Sequence, residues 1–441
     1  MYFVYNAILY LASIICSPLL LLLLFINRRY CAGFFQKLGI ISWEPLMQTA
    51  NSRPVWIHAV SVGEVTAAIP LVKEIKQLFP EAPIVLSTST ATGNLTARQY
   101  PYLINHIIFF PFDYPFIVRR FIGRIRARVF IALETELWPN FLQELRRQGI
   151  PALMVSGRIS PRSFRNYRAF RFLFKNVLKD IACFCMQSSA DAERIIALGA
   201  DSSRVLVTGN IKFDQPMPDV SSAGQDELYQ ALNLKQGQKL FIAGSTHRGE
   251  EEIVLEVFQK LQKGLPDLVL LIAPRHPERF NEVEALIRAR GMRFCRKTAM
   301  IPSAADVILL DTIGELAKLY SIGTVIFIGG SLVPIGGHNV LEPAVYKKPV
   351  LFGPHMDNFS AIAKTLIEHH GAIQVHDGTE LGIQAARLFN DAQLLEEMGA
   401  NAFQAVAENA GALQKSMDSI GHFIERQEAR PAAQNYPITT S

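Results

Sequence analysis

Cysteine is scarce in this chain: five in 441 residues, at Cys16, Cys31, Cys183, Cys185 and Cys295. The count is odd and no pair has metal-ligand spacing. A disulfide framework is thereby disfavoured, leaving reduced, mostly buried thiols of a cytosolic domain. Also absent are a Walker lysine loop, a GxGxxG fingerprint and a DxD pair. Their absence argues against an ATPase, a dehydrogenase and a typical metal-dependent sugar transferase. No nucleic-acid module pattern of interleaved aromatic and basic residues is present, so nucleic acid is not an expected partner. No Lys or Arg precedes the N-terminal apolar run, where a secretory signal would carry positive charge.

What is present begins with that run. Residues 1–26 carry no charge, residues 19–25 are continuously apolar, and Asn27-Arg28-Arg29 follows. A helix of this length at ~1.5 Å per residue spans roughly 39 Å, enough for a tilted bilayer crossing. The flanking arginines place everything after them on the cytoplasmic side. A transmembrane anchor over 1–27 is the expectation, with a cleaved signal or a helix lying on the membrane as the alternatives. A second apolar patch, 34–43, holds Lys37 and suits an interfacial helix. The net charge of +5 and isoelectric point near 8.9 favour anionic partners, without choosing between a membrane surface, a phosphorylated lipid and nucleic acid.

Beyond the anchor, short apolar runs alternate with amphipathic stretches. Strands are expected at 54–60, 83–88, 106–110, 129–133, 152–155, 181–186 and 204–208, then at 239–243, 268–272, 307–310, 325–328 and 350–352. Continuous rather than alternating apolarity marks strands buried on both faces, hence parallel sheets. Between them, Gln215-Pro-Met-Pro218 and Ser221-Ser-Ala-Gly224 break the pattern as a linker. The expected division is an N-terminal domain over 28–214, a C-terminal domain over 215–426 and a disordered tail over 427–441. Two such sheets in succession predict two doubly wound α/β domains with a cleft between them, and ligands outside the carboxyl ends of the strands.

Polar residues gather at those strand ends. In His58-Ala-Val-Ser-Val-Gly-Glu64 the carboxylate falls near a helix start, where it is either a capping group or a general base. His58 taken alone reads as a satisfied core histidine. In Glu134-Thr-Glu136-Leu-Trp-Pro139 two acids leave a strand beside an aromatic ring, which suits a sugar or cationic site, or else an acidic first turn. Eleven cations (Arg119, Arg120, Arg124, Arg126, Arg128, Arg158, Arg162, Arg165, Arg168, Arg171 and Lys175) make a basic region fit for a phosphate-rich or membrane-surface partner, or else a solvated face. Further on, Gly244-Ser-Thr-His-Arg-Gly-Glu-Glu-Glu252 and Gly329-Gly-Ser-Leu332 either offer backbone amides to an anionic group or are ordinary strand-to-helix turns, a choice that holds also for the two loops that follow. Ala273-Pro-Arg-His-Pro-Glu-Arg279 projects Arg275 and His276, and Gly336-Gly-His-Asn-Val-Leu-Glu342 sets Glu342 for a ribose diol.

In their order, HAVSVGE, ETELWPN, SGRIS, GNIKFD, GSTHRGEE, APRHPERF, DTIGEL, GGHNVLEPA and FGPHMDNF resemble the 3-deoxy-D-manno-octulosonate (Kdo) transferase family over roughly residues 1–425. The resemblance implies a GT-B fold and an inverting transfer of Kdo from CMP-Kdo to the lipid A precursor, with no bound metal and no cofactor beyond the donor. It implies Glu64 as proton acceptor, and Glu134 and Lys212 as transition-state stabilisers. CMP would be held by Pro274 and Arg275, by Ile313, Gly314 and Glu315, and by Asn339, Val340, Leu341 and Glu342. The expected location is the cytoplasmic face of the inner membrane. Two other classes stand beside it: another nucleotide-sugar enzyme, such as a hexosaminyl transferase or UDP-sugar 2-epimerase, and a non-catalytic membrane-tethered lipid-binding protein.

Overall fold

The computed structural model describes residues 2–26, 33–214, 222–299 and 305–428. They fall into two compact units, one of Met1–Asp214 with Ala410–Ser441 and one of Gln215–Asn409. Each is built on a parallel sheet of seven strands.

The first sheet comprises β1 (Val55–His58), β2 (Ile84–Thr88), β3 (His106–Phe109), β4 (Val129–Leu133), β5 (Ala152–Gly157), β6 (Cys183–Met186) and β7 (Val205–Val207). Their spatial order is β3-β2-β1-β4-β5-β6-β7. The chain therefore winds outward from β1 in one direction, then returns to β4 and winds the other way. The two carboxyl ends flanking that reversal splay their loops apart, which opens a place for ligands. Alternate residues feed opposite faces. Val55, Ile57, Val129 and Ile131 enter one apolar cluster, and Trp56, Phe130 and Phe184 enter the other. Trp56 meets Phe130 and Phe141 edge-on, with ring centres 5.5 and 5.1 Å apart. Filling both faces this way is what the unbroken apolar runs signify.

The second sheet holds β8 (Leu240–Thr246), β9 (Val269–Pro274), β10 (Phe294–Arg296), β11 (Val307–Leu309), β12 (Val325–Ile328), β13 (Val350–Phe352) and β14 (Ala372–Gln374). They are ordered β10-β11-β9-β8-β12-β13-β14, so the reversal lies between β8 and β12. The edge strands β10 and β14 were not expected from sequence. Each is three residues long, too short to show a period.

Two elements differ from expectation. The last helix, Ala412–Glu428, belongs to the first unit and not the second. Its Met417, Ile420 and Ile424, spaced along one face, are buried in the cluster that also holds Val65 and Leu71. Asp214 fixes its start by accepting from the Gly411 and Leu413 amides at 2.5 and 2.6 Å. The patch 34–43 forms only a four-residue helix, Phe34–Lys37. Its Trp43 is buried beneath the guanidinium of Arg124, 4.9 Å from the ring centre.

The N-terminal helix runs Tyr2–Ile26, but among the described residues no helix is long and apolar enough to cross a membrane. The side chains of residues 19–26, the flanking Asn27-Arg28-Arg29, most of the linker and the tail beyond 428 lie outside the described residues. The first turns of the helix rest on the remainder of the first unit through polar groups. Tyr2 donates to Asp180 at 2.7 Å and Tyr5 to Asp113 at 2.9 Å, while Asn6 accepts from Asn140 at 2.6 Å. Phe3, Val4, Ile8, Leu11, Ile14 and Ile15 are exposed on it.

Candidate functional site

In the first unit, Ser61 leaves β1 in an extended conformation and the helix Val62–Leu78 begins, with Glu64 in its first turn. The Glu64 carboxylate turns back on that start, accepting from the Val60 amide at 2.8 Å and the Ser61 hydroxyl at 3.0 Å. The capping contact is thus made, from a carboxylate that stands at the strand end. Burial pushes its pKa up to about 7, and the charge of Glu134 adds to the shift, against the lowering by its two donors. A carboxyl tuned to neutrality by burial and a like charge is suited to taking up a proton.

Glu134 follows β4, the strand across the reversal from β1. It holds a left-handed backbone at φ 57°, a conformation that costs a non-glycine residue ~1 kcal/mol and recurs at functional sites. Its Oε1 receives Lys212 Nζ at 2.7 Å. Lys212 rides on the turn Ile211–Phe213, started by Asn210, whose side chain accepts from the Lys212 amide. The turn is tied to β5 by Ser156 Oγ, which accepts from the Ile211 amide at 3.3 Å. Glu64, Glu134 and Lys212 are therefore gathered at one end of one sheet. Glu136 instead accepts from the Trp138 indole at 2.7 Å, and burial raises its pKa.

His58 is a core residue. It is fully buried, stacked on Phe110 with ring centres 4.0 Å apart, and its Nδ1 lies 3.0 Å from the Ser87 carbonyl. Burial pushes its pKa down to about 3, so the ring is neutral.

In the second unit the candidate residues come from loops after β9, β11 and β12. Pro274 ends β9, and the exposed Arg275 donates its amide to the Thr246 carbonyl at 3.0 Å. Ile313, Gly314 and Glu315 form an exposed loop beyond β11, where Gly314 has φ 89° and Thr312 donates to Glu315. After β12, Asn339 braces the short helix Leu341–Ala344: its Oδ1 accepts from the Leu341 amide at 3.1 Å, and its Nδ2 donates to Glu342 at 3.2 Å. Burial raises the Glu342 pKa, while Asn339 and the charge of Arg275 oppose the rise.

Two features here escaped the sequence reading. The first is an imidazole pair, His247 and His338, with ring planes 7° apart and Nε2 atoms at 2.8 Å. One Nε2 must carry a proton and the other must not, so the contact fixes opposite tautomers. Desolvation, with nearby cationic groups, lowers their pKa values to about 4 and about 3. Gly330 packs against the pair, since a Cβ there would stand 3.0 Å from His338 Cδ2.

The second is Glu250, the first residue of the helix Glu250–Gln262. Fully buried, it accepts from the amides of His247 at 2.9 Å, Gly330 at 2.6 Å, Ser331 at 3.0 Å and Leu332 at 2.9 Å. The amides of the Gly329–Leu332 loop, expected to approach a phosphate, are thus occupied by the protein's own carboxylate. Gly329 is needed for a different close approach, because a Cβ there would lie 2.6 Å from the Ser245 carbonyl oxygen.

The basic region divides as well. Arg128 is nearly buried and donates to the Arg53 and Ser52 carbonyls at 2.6 and 2.8 Å. Arg162, Arg165, Arg168, Arg171 and Lys175 are exposed along the helices Pro161–Ala169 and Arg171–Leu178. None of the five pairs with a carboxylate among the described residues. Among those residues, too, no group of three or more His, Cys, Asp or Glu is placed to hold a metal ion.

Residues 32–215 match the family model described as 3-Deoxy-D-manno-octulosonic-acid transferase (kdotransferase). A 3-deoxy-D-manno-octulosonic acid transferase of Haemophilus influenzae is 35% identical over 426 residues, covering 94% of this chain and 97% of that protein. Its counterpart in Bordetella pertussis is 32% identical over 385 residues, covering 84% and 87%. Among solved structures, a glycosyltransferase from Rickettsia africae aligns with a TM-score of 0.55 at 13% identity, covering 85% of this chain and 99% of that one. At that identity the likeness is one of fold.

Proposed function

The chain belongs to the 3-deoxy-D-manno-octulosonic acid (Kdo) transferase family, a family of glycosyltransferases, and on that premise we propose that Glu64 is the general base of an inverting Kdo transfer. The acceptor's hydroxyl oxygen bonds to the anomeric carbon of Kdo as that carbon's bond to the CMP phosphate oxygen breaks. The hydroxyl proton passes to Glu64, and the bonding electron pair leaves on CMP. The observation that carries this reading is a Glu64 carboxylate held at a strand end by two hydrogen bonds with its pKa pushed up to about 7. It is ionised often enough at neutral pH to accept a proton, yet basic enough to pull one.

Lys212 and Glu134 stabilise the transition state, Lys212 being oriented by its contact with Glu134. The donor is CMP-Kdo, its nucleotide held by Pro274, Arg275, Ile313, Gly314, Glu315 and the segment Asn339, Val340, Leu341 and Glu342. No cofactor beyond the donor enters the reaction. The acceptor is a lipid A precursor, and the exposed arginines of the helices Pro161–Ala169 and Arg171–Leu178 suit its phosphates and an anionic bilayer. The uncharged N-terminal segment anchors the enzyme to the inner membrane, with both units on the cytoplasmic side.

Purified protein incubated with CMP-Kdo and the phosphorylated, acylated glucosamine disaccharide tests this directly. The lipid product gains the mass of Kdo with the wild type and not with Glu64→Gln, while CMP affinity by calorimetry stays the same in both. Equal turnover by the two proteins removes Glu64 from the role. Tight UDP binding with none for CMP would instead point to another nucleotide-sugar enzyme.

A further inference from the structure

At the end of the first sheet opposite Glu64, beside the amino ends of β5 and β6, lies a cavity of about 490 Å³. Every residue lining it belongs to the first unit. Its rim carries Arg146, Lys179, Arg204 and Arg426, against the single carboxylate of Asp180. That acid is already committed, to Arg146 at 2.8 Å and the Tyr2 hydroxyl at 2.7 Å.

Lys179 and Arg426 have no acidic partner among the described residues. Arg204 is set in place by donating to the Lys179 and Ile181 carbonyls, both at 3.3 Å, and its nearest acid, Asp201, is 3.9 Å away. The turn bearing Arg426 is fixed too, because Arg53 donates to the Gln427 carbonyl at 2.9 Å and to its side chain at 2.7 Å.

Three helices, Pro139–Arg147, Arg171–Leu178 and Ala412–Glu428, end around this cavity. Their carbonyl ends contribute about half a negative charge each. Four cations less Asp180 and the neighbouring Asp201 leave +2, so the space stays weakly positive after the helix ends are counted. Ile150 and Phe423 supply an apolar floor. A concave site of several hundred Å³, cationic above and apolar below, fits an anion that carries an organic body.

We propose that this cavity is a second binding site, for a phosphate ester held by Lys179, Arg204 and Arg426 with its organic part on the Ile150–Phe423 floor. It is separate from the transfer site and does not depend on the role given to Glu64. A soluble phosphomonoester and a phospholipid headgroup share this chemistry, and the test separates them.

Full-length protein in detergent is titrated calorimetrically with phenyl phosphate in the presence of one equivalent of CMP. Vesicles of phosphatidylcholine, with and without phosphatidylglycerol, form the second arm. The variants are Lys179→Ala with Arg426→Ala, and separately Arg204→Glu. All three side chains are exposed, and retained Kdo transfer to dispersed acceptor shows that each variant is folded. The expected result is phenyl phosphate binding beside CMP, weakened roughly tenfold in the double variant. Variant-sensitive binding to phosphatidylglycerol vesicles alone supports the site and assigns it to a lipid headgroup. Binding equal in wild type and variants, or none in either arm, overturns it.

Discussion

Lys212 Nζ stands 2.7 Å from Glu134 Oε1, joining the last turn before the second unit to the strained residue that follows β4. Both side chains keep some exposure, 15% for Lys212 and 31% for Glu134, so the pair is worth no more than ~1 kcal/mol to folding. Its importance is positional: one carboxylate orients the lysine and raises the pKa of Glu64.

Lys212→Ala is therefore expected to leave the urea midpoint nearly unchanged while lowering kcat by about 10²–10³-fold. The Michaelis constant for CMP-Kdo should move far less. Steady-state kinetics with a parallel denaturation curve checks this, and a loss of stability matching the loss of rate contradicts it.

The pKa of Glu64 sets a pH dependence. Below about 7 the base is increasingly protonated, so kcat/KM is expected to fall about tenfold per pH unit on the acid side and to level off above. Stability moves the other way. A carboxyl whose pKa is raised by folding holds its proton in the native state at pH values where the unfolded chain has lost it. Stability is therefore greatest below the unfolded value near 4.5 and declines as pH rises toward about 7. Comparing wild type with Glu64→Gln isolates this contribution, because the variant has no proton to release. Identical stability profiles for the two proteins would contradict the assignment.

Glu250 makes a prediction about the second unit alone. Removing its carboxylate in Glu250→Ala leaves four amides without their acceptor, a loss of about 3–5 kcal/mol. Glu250→Gln restores one acceptor oxygen and should rescue only part. The three tryptophans, Trp43, Trp56 and Trp138, all lie in the first unit. Urea unfolding followed by circular dichroism is thus expected to gain an early step that tryptophan fluorescence does not see. Coincident transitions by both probes would be the contrary result.

The parallel sheets were legible because their inner strands are buried on both faces and read as unbroken apolar runs. β10 and β14 were not, since three residues at a sheet edge carry no such run. Glu64 could be picked out by its place after β1, though its two hydrogen bonds and shifted pKa depend on the folded chain. Glu250 was hidden for a related reason. In sequence it is one acid in a run of three, and its partners Gly330, Ser331 and Leu332 lie some eighty positions onward. The glycines of that loop signal close approach, and sequence does not say whether a ligand or another strand is what approaches. Lys212 gave no local signal at all and rested wholly on the family resemblance.

The return of the helix Ala412–Glu428 makes the second unit an insertion. A chain stopped after Asn409 would not yield a protein short of a tail. It would strip Met417, Ile420 and Ile424 from the first sheet's own interior and leave Asp214 without the amides it binds. The segment Gln215–Asn409, bounded on both sides by the first unit, is the piece that a single deletion, with a cut at each of its two ends, removes and a short bridge replaces.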